Sequence, residues 1–288
     1  MEKQNGKPNI LGTLNALGFR PKKGLGQNFI LDENILVQMA QGAEIGPEDT
    51  VLEIGPGAGT LTRVLAGAAK KLVTVEVDKT LLPVLETVLD GMANVQVLLG
   101  DIMKMDLQRL YQESLGEPFR LAANLPYYIT TPILMLFLES GLPVKSMTVM
   151  VQREVADRIV ARPGGKDYGV LTVMTNVWAE PRVLFSLPPE AFWPPPTVHS
   201  SVIHLPVRKE PLVAPEDLAW FRKVVRTSFG ARRKQIHNNL TAGLGLNREQ
   251  TEQALAACGI PSTARAETLS IEQFQALARA LDAAKRQA

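Results

Sequence analysis

The stretch that most limits what this chain can fold into is Glu53-Ile54-Gly55-Pro56-Gly57-Ala58-Gly59-Thr60, which follows the apolar Val51-Leu52 and precedes a helical pattern opening at Leu61. Glycines at alternate positions let the backbone turn sharply at the carboxyl end of a buried strand and let a ligand approach it, with a helix N-terminus just beyond. The alternation continues downstream. Residues 51–54, 72–77, 95–99, 121–123 and 147–151 read as strands, interleaved with helices over 61–69, 81–89, 107–115 and 133–138. Strands and helices alternating at this spacing imply βαβ crossovers and a parallel sheet covered on both faces, an α/β nucleotide-type domain.

Upstream, Asp32 caps a helix that carries Ile35, Leu36 and Met39 on one face. Residues 169–178 are apolar with mixed period and fit helix or strand equally, whereas 183–187 and 202–205 read as strands around the connector Phe192-Trp193-Pro194-Pro195-Pro196. Past Pro211 and Pro215 the strand signal ends. Residues 218–229, 250–257 and 271–284 are helical, the last opened by a capping box of Ser270 and Gln273. The expected division is a basic N-terminal segment 1–30 that contributes to a ligand site, an α/β domain 31–209 and a small all-α domain 210–288.

Composition removes several classes. The chain has 288 residues, 45% hydrophobic and 21% charged, with a mean hydropathy of +0.02, values that argue against a disordered or fibrous chain. One cysteine, Cys258, and three histidines leave neither a disulfide framework nor the usual zinc ligands. No apolar run approaches the ~20 residues of a membrane helix, and the polar start lacks a secretory signal; a cytoplasmic location is expected. The net charge of +2 conceals an uneven layout. Residues 1–30 hold five Lys/Arg against one acid and residues 211–288 eleven against seven, while 31–210 hold fifteen against twenty-one. Basic ends around an acidic body suit a polyanion gripped at its edges and a cationic cofactor held in the middle, though basic ends are as often merely solvated.

The glycine loop is a poor dinucleotide fingerprint, because Thr60 stands where G-x-G-x-x-G needs its last glycine and Pro56 removes an N–H from a loop meant to hold pyrophosphate. Glu76, 21 positions beyond Gly55, ends the second strand where an acid accepts both hydroxyls of a ribose, and Asp101 follows the third strand where a carboxylate can accept from an adenine amine. An adenosine pocket without a phosphate cradle points to S-adenosylmethionine.

The fourth strand ends in Asn124-Leu125-Pro126-Tyr127-Tyr128. An adenine amine is a weak nucleophile, its lone pair delocalised into the ring. The Asn124 side-chain oxygen and a carbonyl near Leu125 can accept from both its N–H groups, which draws the nitrogen toward tetrahedral geometry in the transition state. Pro126 stiffens the turn and Tyr127 is placed to stack on the base. Phe192, fixed by its polyproline neighbours, is the candidate second wall for an extruded base. In the last domain Arg222, Lys223 and Arg226 share a helical face, and Arg232, Arg233 and Lys234 follow; such clusters hold phosphate backbones by charge. Nothing in this chemistry calls for a metal.

Together with Gly26-Gln27-Asn28-Phe29, Gln152-Arg153-Glu154-Val155-Ala156 and Arg265-Ala266-Glu267, these residues resemble the rRNA adenine N6-dimethyltransferases from about residue 20 to the last helix. Within that family the likeness is strongest to the bacterial small-subunit members. The resemblance implies a Rossmann-like methyltransferase sheet with helices on both faces plus a small C-terminal all-α domain. It implies that Asn28 and Ile30 reach the cofactor from the N-terminal segment, that Gly55 lines its methionine side, Glu76 its ribose and Asp101 its adenine, and that Asn124 borders both cofactor and target amine. It further implies dimethylation of two adjacent adenosines in a hairpin loop near the 3′ end of 16S rRNA, in the 30S particle; a monomer is expected, though the sequence leaves the oligomeric state open. Thr197, Val170 and His237 depart from residues common in the family at those positions. Competing readings are a 23S rRNA or DNA adenine methyltransferase, and a non-catalytic RNA-binding assembly factor of the same fold.

Overall fold

A computed structural model describes residues 9–231 and 233–286. The chain divides into two compact units. One runs to Ala156 and resumes over Arg182–Val207; the other takes Asp157–Pro181 and everything from Arg208 onward.

The first unit opens with α1 (Ile10–Ala16) and a two-residue strand β1 (Phe29–Ile30), followed by α2 (Glu33–Gly42). The Asp32 side chain caps α2 as its position predicts, accepting from the Asn34 N–H. Then come β2 (Thr50–Ile54), α3 (Thr60–Ala68), β3 (Lys71–Glu76), α4 (Leu82–Val88), β4 (Val95–Leu99), α5 (Leu107–Leu110), β5 (Phe119–Asn124), α6 (Thr130–Leu138) and β6 (Val144–Gln152). The unit is left through α7 (Arg153–Ile159), and after α8 (Val170–Trp178) the chain returns with β7 (Arg182–Leu187), β8 (Phe192–Trp193) and β9 (Ser200–Pro206).

Seven strands form one sheet in the order β4-β3-β2-β5-β6-β9-β7. From β2 the chain steps outward to β3 and β4, then jumps back across β2 to β5 and β6. Right-handed crossovers therefore place the helices of the two halves on opposite faces, and the order reverses between β2 and β5. All five residues of β2 are buried, Thr50 and Glu53 included, because the strand is covered on both sides. The parallel arrangement expected from the sequence holds for β2 to β6. β9 instead lies antiparallel to β6, with Met147 opposite Leu205, and β7 is antiparallel to β9. β1 and β8 make a separate two-stranded ladder, with Phe29 opposite Trp193 and Ile30 opposite Phe192.

The second unit holds α8 together with α9 (Leu218–Ser228), α10 (Ile236–Leu244), α11 (Arg248–Ala257) and α12 (Ile271–Arg286). Residues 169–178, ambiguous in the sequence, form α8; Thr172, Val173, Met174, Thr175 and Val177 are all buried, so no single polar face interrupts the run and the helical period is masked. The 31–209 boundary expected from the sequence thus differs from the observed grouping, in which 157–181 belong with the C-terminal helices. Tyr168 shows why. Its ring lies 6.2 Å from that of Phe229, and its hydroxyl donates to the Leu269 carbonyl at 2.8 Å. At the start of α12 the anticipated capping box is present, Ser270 and Gln273 exchanging side-chain and backbone bonds.

Tyr168→Phe removes one buried hydrogen bond with little change of volume. We expect it to lower stability by about 1 kcal/mol, read as a shift of the denaturant midpoint at unchanged slope; an unaltered midpoint would show that this bond does not hold 157–181 to the later helices.

Candidate functional site

The carboxyl ends of β2, β3 and β5 converge where the strand order reverses, and a cleft opens there. Asn28, Ile30, Gly55, Glu76, Asn124 and Pro126 all line it, together with Glu53, Gly57 and the N-terminal segment from Leu25.

Gly55 and Gly57 hold φ of 69° and 56°, values that L side chains rarely adopt. A Cβ on Gly57 would stand 2.7 Å from the Phe29 ring, so the glycine lets the N-terminal segment fold against the loop; a Cβ on Gly55 would meet nothing within 4 Å, leaving that approach open to a ligand. Phe29 in turn stacks on Trp193 with ring centroids 6.3 Å apart.

Three acids follow one another at these strand ends, each with a different electrostatic state. Glu53 is 1% exposed and its Oε2 has no partner. Burial, helped by the nearby Glu76 charge, pushes its carboxyl up to about 8. The Glu76 carboxyl is also raised by burial, although Oε2 accepts from the Gly57 N–H at 3.1 Å and Oε1 from the Asp78 N–H at 2.7 Å. Asp78 goes the other way. Burial works against its charge, but Lys22 Nζ at 2.6 Å, the Thr80 hydroxyl and Gln27 Nε2 at 2.9 Å outweigh it and hold the carboxyl down at about 2. Lys22 and Gln27 are thereby tied to the end of β3, which brings residues 25–30 over the cleft.

Asn124 closes the far side. Its Nδ2 donates to the Asn28 backbone carbonyl at 2.9 Å. A carbonyl only accepts, so this bond settles which way the amide faces and leaves Oδ1 as an unclaimed acceptor. The turn after it is held by the Ile129 N–H and the Thr130 hydroxyl, both donating to the Pro126 carbonyl. Leu125 is buried, and the half-buried Tyr127 makes a 2.6 Å bond between its hydroxyl and Ser200 Oγ.

The expected site residues Asp101 and Phe192 are not among the side chains that line the cleft. Asp101 follows the end of β4, where the Gly100 N–H donates to the Glu76 carbonyl; its Oδ1 accepts from the Met103 N–H and Oδ2 lies 3.4 Å from Lys104 Nζ, which leaves lone pairs on both oxygens. Phe192 is 5% exposed and packs in a core with Ile30, Leu36, Met39 and Met150. Pairing of β8 with β1 turns alternate side chains to opposite sides, so Phe192 joins the core while Trp193 meets Phe29; Phe192 therefore does not form an open wall opposite Tyr127 in this structure. Asp78 and Ser200 were not singled out from the sequence. The signal for Asp78 was a third acid two positions past Glu76 at the same strand end; a lone serine at a strand start gives none.

In the helical unit Lys223, Arg226, Arg233 and Lys234 are exposed, and Arg222 is half-buried. The side chain of Asn239 pins the turn from which the second group projects, donating to the carbonyls of Ser228 and Ala231. Arg232 lies outside the described residues. Among the described residues no group of three or more His, Cys, Asp and Glu could hold a metal, and no helix is long and apolar enough to cross a membrane.

A family model described as ribosomal RNA adenine dimethylase matches residues 18–283. The chain belongs to that family. It is 48% identical over 263 residues to the ribosomal RNA small subunit methyltransferase A of Caldanaerobacter subterraneus subsp. tengcongensis, covering 91% of this chain and 97% of the relative. To the protein of the same name from Moorella thermoacetica it is 44% identical over 277 residues, 94% of this chain and 96% of the relative. Among solved structures it is similar to the 23S rRNA methyltransferase ErmE, at 31% identity and a TM-score of 0.69 over 88% of this chain and all of that one. A dimethyladenosine transferase from Plasmodium falciparum shares the fold, with a TM-score of 0.72 at 24% identity, over 86% of this chain and 95% of that one. Membership makes the chain an rRNA adenine methyltransferase, and the switch-point cleft is where a Rossmann-like enzyme holds its ligands.

The raised carboxyl of Glu53 has a measurable consequence. In the unfolded chain it ionises near 4.5, in the folded one near 8, so its contribution to stability is full below about pH 4.5 and is lost as pH rises through 8. Glu53→Gln removes this slope. Without ligand, the melting temperature of the variant should gain on the parent between pH 5 and pH 8 by roughly 3 °C or more; parallel pH profiles would mean that Glu53 is ionised in the fold.

Proposed function

We propose that the chain transfers methyl groups from S-adenosylmethionine to N6 of two adjacent adenosines in a hairpin loop near the 3′ end of 16S rRNA, within the 30S particle. The observation that carries this reading is the Asn124 amide, oriented by Asn28 so that its oxygen stands ready to accept an N–H at the mouth of the cleft.

The residues present fit that cofactor. The buried Glu53 carboxyl, which keeps its proton up to about pH 8, gives the floor of the cleft a group that can donate as well as accept. Each Glu76 oxygen accepts one backbone N–H and keeps lone pairs for ribose hydroxyls. Gly55 offers bare backbone, and Pro56 withholds the N–H that a pyrophosphate would require. When bound, S-adenosylmethionine supplies an electrophilic methyl carbon on a sulfonium.

The chain's own part is binding and orientation. Asn124 Oδ1 and the Leu125 carbonyl accept from the two N–H groups of the target amine, directing its lone pair along the line of displacement; donors and acceptors fixed before reaction need no reorganisation during it. Tyr127 stacks on the extruded base, a contact worth about 1–3 kcal/mol. Lys223, Arg226, Arg233 and Lys234, with Arg222 and Arg232, hold the RNA backbone by charge, in keeping with a structured RNA surface as substrate rather than a short oligonucleotide.

The test is transfer of radiolabelled methyl from S-adenosylmethionine to under-methylated 30S subunits, followed by nucleoside digestion. N6,N6-dimethyladenosine is the expected product; label in 23S rRNA or DNA and none in 30S subunits or 16S rRNA would overturn the substrate. Asn124→Ala should reduce turnover by about 10²–10³-fold while cofactor affinity stays within several-fold, and equal losses in both would make Asn124 chiefly a cofactor ligand. Affinity for the subunit should fall steeply with salt. Neutralising Arg233 or Lys234 singly should flatten the log–log slope by about one phosphate each.

A further inference from the structure

Tyr127 and Ser200 are 73 positions apart in the chain, yet the phenolic oxygen and the serine Oγ lie 2.6 Å from one another. Their surroundings differ. Tyr127 is half-buried on the turn that follows β5, while Ser200 has 0% exposure as the first residue of β9. In the sheet Ser200 stands between two strands, paired with Gln152 of β6 on one side and Leu187 of β7 on the other. Just before it, the His199 carbonyl accepts from the Arg153 N–H at 3.0 Å, so β9 is already anchored where it enters the sheet. The serine oxygen is consequently one of the least movable polar atoms near the cleft.

We propose that Ser200 is a positioning residue that fixes the Tyr127 ring as the platform for the target base. The inference rests on the function proposed above. A tyrosine side chain has two rotatable bonds before its ring. Backbone bonds to the Pro126 carbonyl set the turn that carries it, and a bond to the phenolic oxygen at the far end removes the remaining freedom of the ring plane. The adjacent Tyr128 is 63% exposed, so the sequence offers two aromatic rings in succession and the buried serine selects one of them. A platform held in advance loses less freedom when the base arrives, and the benefit falls on the methyl-transfer step, since neither side chain is among those that line the cleft.

The experiment measures single-turnover methyl transfer at saturating S-adenosylmethionine and saturating 30S substrate, alongside cofactor affinity and melting temperature. Ser200→Ala should slow the step by about tenfold with cofactor affinity within twofold of the parent. Tyr127→Phe should slow it to a similar extent, the double variant should be no slower than either single one, and Ser200→Thr, which keeps the hydroxyl, should restore most of the rate. A parental rate in Ser200→Ala overturns the proposal, as do single losses that multiply in the double variant or a fall in cofactor affinity that matches the fall in rate. Should the alanine variant not fold, Tyr127→Phe decides alone, because it leaves Ser200 in place: a parental rate overturns the proposal and a tenfold loss at unchanged cofactor affinity supports it. Failure of the parent chain to methylate adenosine at all would instead remove the function on which the inference rests.

Discussion

The carboxamide of Asn124 has one nitrogen and one oxygen, and the Asn28 carbonyl 2.9 Å away takes the nitrogen. The rest of the site depends on this bond, because it turns an amide with two possible faces into an acceptor aimed one way. The bond in turn requires residues 25–30 to lie across the strand ends. Nothing local in that segment would keep it there, as β1 is only two residues long. It is held from outside: at Asp78 by Lys22 and Gln27, at Gly57 by the packed ring of Phe29, and along β8 by the two pairs of the short ladder. A segment 96 positions upstream of Asn124 is thus as much a part of the cleft as the strand that carries it.

The acids show how burial and hydrogen bonding set charge independently along a short stretch of strand ends. Glu53 has burial and no compensating partner for one oxygen, Glu76 has burial with two backbone donors, and Asp78 has a cation and several donors. The result is one buried carboxyl that favours its neutral form and another, two positions past Glu76, that its partners hold firmly ionised. A cleft in which Glu53 stays neutral beside Glu76 receives a cationic ligand without confining two full negative charges side by side, which would otherwise repel one another at short range.

Much of this architecture was legible from the residues. The run 95–99 is a strand over those very positions, and the cap at Asp32 and the capping box at Ser270 form as their sequence signatures imply, because each rests on interactions within a few residues. The cleft residues on β2, β3 and β5 were legible for a similar reason: strand ends of a parallel sheet meet at a place that topology dictates. What escaped lay in long-range packing. α10 carries Asn238, Asn239, Thr241 and Gly243, weak helix formers whose helix exists through burial of Ile236, Leu240 and Leu244. Phe192 read as an exposed aromatic because local sequence cannot reveal that β8 pairs with β1. The Tyr127–Ser200 bond likewise depends on coordinates that no spacing rule contains.

The helical unit is built from two separated pieces of chain, with β7, β8 and β9 made between them. During synthesis α8 therefore leaves the ribosome before any of the later helices that share its unit, and with Val173 and Val177, buried in the finished fold, still uncovered. The sheet in its turn is finished only when β9 slots between β6 and a β7 made earlier. Neither unit can be completed vectorially from its own sequence: the sheet waits on a segment that follows the first helical piece, and the helices wait on a segment that follows the sheet. Such interleaving makes the two units obligate companions in biogenesis, and it leaves no single point at which the chain can be cut to yield both of them whole.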